Sequence, residues 1–467
     1  MPHPLVSYRW LLIFSFCALS FVTALAQPQR PNIVVILADD LGTADVGFNG
    51  GKVIKTPNID KLAAAGARLD QFYVQPVCSP TRAALMTGRY PMRHGLQVGV
   101  VRPWAQYGLP LEERTLPQAL KEAGYATAII GKWHLGHFQP EYLPTRRGFD
   151  FQYGHYNGAL DYFTHERDGG HDWHRNDKAS YDEGYSTHLL AREAVQFIKG
   201  SFRNSGQPFF LYVPFNAVHA PHQVPEKYKA PYAHLPEPRR TYAGMLAAMD
   251  EGIGQILAAL DEKGLRKNTL IVFSSDNGGP SPGKVTDNGP LRAGKATLYE
   301  GGVRVAACVA WEGKIKAGSS ITAPLHIVDL YPTLLRLAGA SLTQKLPLDG
   351  RNAWAAMTQG KPSPHNEILL NATPSTGAIR VGDWKLILNG NVNAGEDDGA
   401  TDVPSEQSVE LFNLAQDPYE KQNLAAQQPG KVKDLRARYN MLAAQAAPPK
   451  IRPKPAAFKS PKVWGEQ

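Results

Sequence analysis

The sequence predicts an α/β protein with a mostly parallel central sheet sandwiched by helices, followed by a smaller C-terminal α+β subdomain carrying an antiparallel sheet. Three observations predict it. "NIVVILADD" (32–40) is a continuous β-branched run, as a strand buried on both faces requires, and it stops at two acids. Helix patterns and strand patterns then alternate along the chain, the order that places helices on both faces of a parallel sheet. Near residue 345 the texture changes to short strand patterns and one last helix.

Each element follows from local chemistry. "TPNIDKLAAAGARLDQFYV" opens on Thr56-Pro57, a helix start signal, and passes from helix to extended chain. "TLPQALKEAGYATAIIGKWHLG" reads as helix then strand, and "PFFLYVPFNAVHAPH" as a strand running into a loop. "YAGMLAAMDEGIGQILAALDEKGLRKNTLIVFSSDNGG" gives a long helix and a strand ending in Asp276-Asn277. Polar clusters thus recur just past the carboxyl ends of strands, where open α/β sheets bind ligands. "VRVAACVAW" is strand-like, with Cys308 expected as a buried free thiol, and "HIVDLYPTLLRLAGA" is a helix. Beyond it, "AIRVGDWKLILNG" and "SVELFNLA" are short strands and "GKVKDLRARYNMLAAQA" a helix. The expected organisation is a leader over 1–26, a main domain over 27–345, a subdomain over 346–445 and a basic, proline-rich tail over 446–467.

The leader is read from Arg9, the apolar run Trp10 to Ala26 and its Ala24-Leu25-Ala26 ending, the order of a cleavable signal peptide. Secretion or periplasmic export after cleavage near Ala26 is the expectation, with no stable membrane anchor, because the run is shorter than a spanning helix needs. Cys17 belongs to the discarded segment. The mature chain keeps only Cys78 and Cys308, too few for a disulfide framework. With 43% hydrophobic and 20% charged residues the chain is globular rather than disordered. Its formal charge of +8 falls to +7 without Arg9, which suits an anionic substrate or surface. Part of that excess lies in the tail, at Lys450, Arg452, Lys454, Lys459 and Lys462 among prolines. We expect the tail to be a solvated, extended segment rather than a nucleic-acid arm, and no nucleic-acid partner.

The lone cysteine of "PVCSPTRAALMTGRY" stands at the start of a helical pattern. Cys78-Ser79-Pro80-Thr81-Arg82, with Leu85, Thr87, Gly88 and Arg89, resembles the C-x-P-x-R stretch that defines the sulfatase family. Gly124-Tyr125 through Gly131-Lys132-Trp133-His134 matches independently, as do Asp39-Asp40, Val218-His219-Ala220-Pro221-His222, Asp276-Asn277-Gly278 and "GPLRAGKATLYEGGVR" around Lys295. These matches occur in the family's order and span most of the chain, and "ELFNLAQDPYEKQNLA" is also similar. The details look closest to arylsulfatases of the N-acetylgalactosamine 4-sulfatase-like type.

The resemblance implies an alkaline-phosphatase-like fold and a sulfuric ester hydrolase. It implies that a formylglycine-generating maturation enzyme oxidises Cys78 to Cα-formylglycine, an aldehyde. One hydroxyl of the hydrated aldehyde attacks the sulfur of a sulfate ester, and the other drives collapse of the sulfated hemiacetal, splitting one difficult step into two. Asp39, Asp40, Asp276 and Asn277 form a hard all-oxygen set suited to one Ca²⁺ per subunit, with Mg²⁺ as the lesser option, completed by the modified Cys78. Arg82 and Lys132 are matched to holding formylglycine and its oxyanion, His134 to the gem-diol and Lys295 to the sulfate oxygens. His219 is matched to the group that contacts the sulfate and protonates the leaving alcohol, and His222 to a substrate contact or a support behind it.

Residues 146–185 form an insert rich in aromatics, His and Asp, the texture of a structured lid. His155, Asp161, Tyr162 and His165 are the expected substrate contacts, suited to a sulfated saccharide. The alternative is a phosphonate monoester or phosphodiester hydrolase sharing fold and nucleophile. A catalytically dead glycan-binding protein is disfavoured because every matched catalytic position is occupied.

Overall fold

The computed structural model describes residues 1–2, 30–391 and 408–466. Arg9, Cys17 and the expected cleavage site near Ala26 lie outside the described residues. Among the described residues no helix is long and apolar enough to cross a membrane.

The main sheet contains β1 (Asn32–Ala38), β2 (Ala67–Leu69), β3 (Ala126–Lys132), β4 (Phe151–His155), β5 (His174–Arg175), β6 (Lys178–Ala179), β7 (Phe209–Pro214), β8 (Thr269–Ser275), β9 (Ala307–Ala310) and β10 (Ser319–Ile321). Their order is β10-β2-β9-β8-β1-β7-β3-β4-β5-β6. The five strands from β8 to β4 run parallel, and antiparallel partners flank them on both sides. Successive residues of β1 point to opposite faces, so Ile33, Val35 and Leu37 enter one apolar cluster while Val34, Ile36 and Ala38 enter another. Helices α1 (Pro57–Ala64), α4 (Ser186–Lys199) and α5 (Arg239–Glu262) cover the second face. Helices α2 (Cys78–Thr87), α3 (Leu116–Glu122) and α6 (Leu330–Ala338) cover the first. Each fully buried aliphatic side chain contributes about 1.5–3 kcal/mol, so the continuous apolar strand runs are what fasten both layers.

Two helices near the site have identifiable ends. A capping box starts α3: the Thr115 side chain accepts from the Gln118 N–H, and Gln118 Oε1 accepts from the Thr115 N–H at 2.8 Å. Gly88 stops α2 in the left-handed region at φ 66°, where a Cβ would also meet Tyr331 at 2.8 Å.

The C-terminal sheet is antiparallel, in the order β11 (Glu367–Ala372), β12 (Gly377–Val381), β13 (Trp384–Leu388) and β14 (Val409–Asn413). One face, with Leu369, Ile379, Leu386 and Leu411, joins the apolar cluster beneath the main sheet. The other, with Ile368, Leu370, Ile387 and Phe412, packs on Leu298, Val303 and Tyr73. Buried Lys385 reaches Glu300, in the helical turn Glu300–Val303, at 2.9 Å and Glu420 at 2.8 Å, tying this sheet to the loop that follows Lys295. The last helix, α7 (Pro429–Ala443), adds Leu435, Tyr439 and Ala443 to the shared core.

The tail corrects one expectation. Residues 447–464 are extended and their lysines and prolines are largely solvated, but both ends are docked rather than free: the Ala447 N–H donates to Met92 O at 2.7 Å, the Lys450 N–H to Gly95 O at 2.9 Å and the Trp464 N–H to His171 O at 2.9 Å. Trp464 is 2% exposed and its Nε1 donates to Arg167 O. Burial of this aromatic anchors a segment whose lysines and prolines suggested a free arm.

Candidate active site and family

The site is assembled at the carboxyl ends of the central strands. Backbone bonds lock these ends together: the Asp276 N–H donates to Ala38 O, the Asp39 N–H to Ala217 O, and the Val218 N–H to Asp39 O. Asp39 and Asp40 leave β1, Asp276 and Asn277 leave β8, and Lys132 ends β3, all buried. The turn at Asp40 adopts φ 63°, and its N–H donates to Asp276 Oδ1 at 3.3 Å. Asn277 Nδ2 donates to Asp40 Oδ1 at 2.7 Å, which turns Asn277 Oδ1 toward the thiol.

Cys78 is the first residue of α2, at the positive end of the helix. Its Sγ lies 3.4 Å from both Asp39 Oδ1 and Asn277 Oδ1. Burial pushes the thiol up, Asp276 adds to this, and Lys132 and Lys295 pull partly the other way. The protein by itself therefore does not build a thiolate nucleophile here.

Four basic groups converge on the same point. Arg82 donates twice to Asp276 Oδ2, at 2.8 and 3.2 Å, and once to Lys132 O at 3.1 Å. Lys132 Nζ is 2.5 Å from Asp39 Oδ2. Lys295 Nζ donates to Asp40 Oδ2 at 2.9 Å and lies 3.2 Å from His219 Nε2. His219 Nδ1 is 2.6 Å from the Ala220 carbonyl, which assigns the proton to Nδ1 and leaves Nε2 facing Lys295 and Asp40. His134 adopts φ 59°, and its Nε2 is 3.0 Å from Val101 O. His222 is half-buried, with its ring edge-to-face to Tyr242, and burial together with neighbouring His219 lowers its pKa.

With that geometry in view, comparison with known proteins is decisive. The sulfatase family profile matches residues 31–340. The chain belongs to the sulfatase family. The sulfatase is 38% identical over 474 residues to mouse (Mus musculus) arylsulfatase J, covering 92% of this chain and 78% of that protein. It is 33% identical to mouse N-acetylgalactosamine-6-sulfatase, covering 88% of this chain and 85% of the relative. Among solved structures, Ps i-CgsB in complex with k-i-k-neocarrahexaose superposes with a TM-score of 0.81 at 36% identity, covering 90% of this chain and 94% of that one. The sulfatase is accordingly a sulfuric ester hydrolase with the expected α/β architecture.

The insert corrects three of the four expected substrate contacts, His155, Tyr162 and His165, which lie in the interior. His155 is wholly buried on β4, opposite Lys132, and His165 is 1% exposed and stacked on buried Trp173 with ring centres 4.5 Å apart. The Tyr162 hydroxyl lies 2.6 Å from Asn216 O and 2.8 Å from His219 O, so it holds the His219 loop from behind. Asp161 stays near the surface, but its carboxylate accepts from the Phe163 and Thr164 N–H groups and from Gln223 Nε2. His155, Tyr162 and His165 thus fold inward around Trp173 and the His219 loop, out of a saccharide's reach, while Phe163 and Tyr181 are the aromatics this insert leaves exposed.

Other residues of the sulfatase site carry no sequence signal of their own. Ser79 Oγ donates to His134 O at 2.9 Å and accepts the Val101 N–H at 3.0 Å, joining the nucleophile's helix to two loops. Asn288 clamps the Lys295 loop through Gly279 and Ala293. Gly158 lies against His134: a Cβ there would meet ring atoms at 2.5 and 2.6 Å. Only Ser79 falls inside a recognisable motif.

Proposed function

We propose that this sulfatase is exported and removes sulfate monoesters from a sulfated saccharide or polysaccharide, using Cys78 converted to Cα-formylglycine and one Ca²⁺ ion. The observation that carries it is convergence: Cys78 Sγ sits 3.4 Å from two strand-end oxygens, inside a ring formed by Arg82, Lys132, Lys295 and His219. A saccharide substrate is supported by relatives named for an amino sugar sulfate and by the neocarrahexaose bound to a structural neighbour.

The residues fit a hard cation. Ligand atoms of Asp39, Asp40, Cys78 and His219 lie within 4.8 Å of one another, and Asn277 Oδ1 points at the same sulfur. Asp39, Asp40, Asp276 and Asn277 would hold the ion through oxygen, the donor type Ca²⁺ prefers. When bound, the ion supplies positive charge beside the sulfate oxygens. Conversion of Cys78 supplies a hydrated aldehyde, with one hydroxyl for attack and a second for release, which a thiol lacks.

The chain's own side chains perform the remaining work. Arg82, held by Asp276, anchors the Lys132 carbonyl and so fixes the end of β3. Lys132, wholly buried, and Lys295, partly exposed, place positive charge where the sulfate's charge increases during transfer. Protonated on both nitrogens, His219 keeps its Nδ1–H on the Ala220 carbonyl and delivers the Nε2 proton, beside Asp40, to the departing sugar oxygen, returning to the neutral ring. His134, fixed by Val101, orients the nucleophile at residue 78.

Peptide mass spectrometry of residue 78 in material co-expressed with a maturation enzyme, with metal analysis and a panel of defined sulfated oligosaccharides, tests the proposal. Formylglycine, one calcium per chain and loss of individual sulfates are expected. Fully active protein with only unmodified Cys78, or hydrolysis of phosphonate esters in preference to every sulfate ester, would overturn it.

A further inference from the structure

The docked tail brings unpaired positive charge to a loop of the active site. Val101 contacts His134 and Ser79, and Trp104 stands three residues farther on, a reach of at most ~11 Å. Trp104 Nε1 donates to Arg452 O in the tail at 3.1 Å. Around this ring lie the Phe458 ring, edge-to-face at 6.3 Å, the Arg102 guanidinium at 5.8 Å and the Lys454 ammonium at 5.6 Å. Phe458 stacks on buried Trp464, whose ring meets His137 at 5.3 Å, and His137 follows His134 on the same loop. Trp104 and Phe458 remain partly exposed, and Lys454 is exposed.

Charge selects the occupant. Residues 446–465 contain five Lys and Arg and no acid, and among the described residues none of the five pairs with a carboxylate. Aromatic faces beside free ammonium groups match the apolar C–H faces and sulfates of an anionic saccharide chain.

We propose that Trp104, Phe458 and Lys454 form a subsite for a sulfated sugar distant from the scissile sulfate, so that the tail helps set preference for chain length. This rests on the saccharide reading above. The subsite takes a sugar face on Trp104 and Phe458 and that sugar's sulfate on Lys454, while Arg102 holds the tryptophan ring from the protein side.

The test compares kcat/KM on sulfated carrageenan and chondroitin oligosaccharides, each as a disaccharide and a hexasaccharide, with kcat/KM on nitrophenyl sulfate. In Trp104→Ala the ratio of hexasaccharide to nitrophenyl sulfate activity should fall at least ~10-fold, through KM, and the preference for hexasaccharide over disaccharide should shrink with it. Trp104→Phe, which keeps a ring but loses the bond to Arg452, should restore most of the ratio. Lys454→Gln, an exposed change that leaves the fold intact, should lower it about three-fold and weaken its salt dependence. Ratios within about two-fold of wild type in both Trp104→Ala and Lys454→Gln, or parallel losses on both substrate types, overturn the subsite while leaving the saccharide reading standing. A wild-type enzyme that hydrolyses nitrophenyl sulfate but none of the oligosaccharides overturns the saccharide reading itself, and the subsite with it.

Discussion

Replacing Asp276 by alanine separates what this carboxylate does for the fold from what it does for the metal. Arg82 is wholly buried and donates three hydrogen bonds, two of them to Asp276 Oδ2. Asp276→Ala strands the guanidinium with the Lys132 carbonyl and with Asp39 Oδ2 at 3.6 Å. Removing one partner of a buried pair costs about 3–5 kcal/mol, and because Asp39 recovers part of the attraction we expect the lower end, about 3 kcal/mol. Urea unfolding in excess EDTA, which removes any metal contribution from both proteins, measures this. Adding Arg82→Met should return stability to within about 1 kcal/mol of wild type, since an apolar replacement leaves no buried charge unpaired. Calcium added to the single variant should give neither the stabilisation nor the turnover seen in wild type. A single variant within about 1 kcal/mol of wild type in EDTA, or a double variant as unstable as the single one, would refute the argument.

His219→Ala should lower kcat/KM for a sulfated sugar by about 10²–10⁴-fold and that for nitrophenyl sulfate far less, because nitrophenolate departs without a proton; equal fractional losses would leave His219 as a sulfate-binding residue. Gly158→Ala drives a methyl into the His134 ring, so kcat should fall about ten-fold or more with little change in thermal midpoint, and a variant of normal kcat would show that this loop yields freely. His94 and His155 are buried, and burial first, with Arg89 beside the former and Lys132 beside the latter, pushes both down to about 3. The unfolded chain binds these protons near pH 6.5 and the folded chain only near 3, so stability is full above about pH 6.5 and falls as pH drops between those values. Urea midpoints measured across that window should fall with pH, and His94→Leu should remove about one proton from the uptake on unfolding; an unchanged uptake would mean His94 titrates normally in the fold.

Local chemistry determined much of this protein before any fold was known. Strands buried on both faces must be apolar throughout, so β1, β7 and β8 stand out as continuous runs, and the polar pairs that end β1 and β8 mark the carboxyl edge where ligands bind. The Cys78 to Arg82 stretch and the Lys132 to His134 stretch are contiguous, so their chemistry is legible residue by residue. Only tertiary structure decided which way the insert's aromatics point. His155, Tyr162 and His165 are chemically as fit for a sugar as for a core, and packing on Trp173 and the His219 loop made them core. The tail was decided in the same way. Five cations among prolines favour solvent locally and stay there, but Trp464 and Phe458 find partners at His137 and Trp104, more than three hundred residues earlier in the chain, and burial of Trp464 with the packing of Phe458 outweighs the cost of ordering an extended segment.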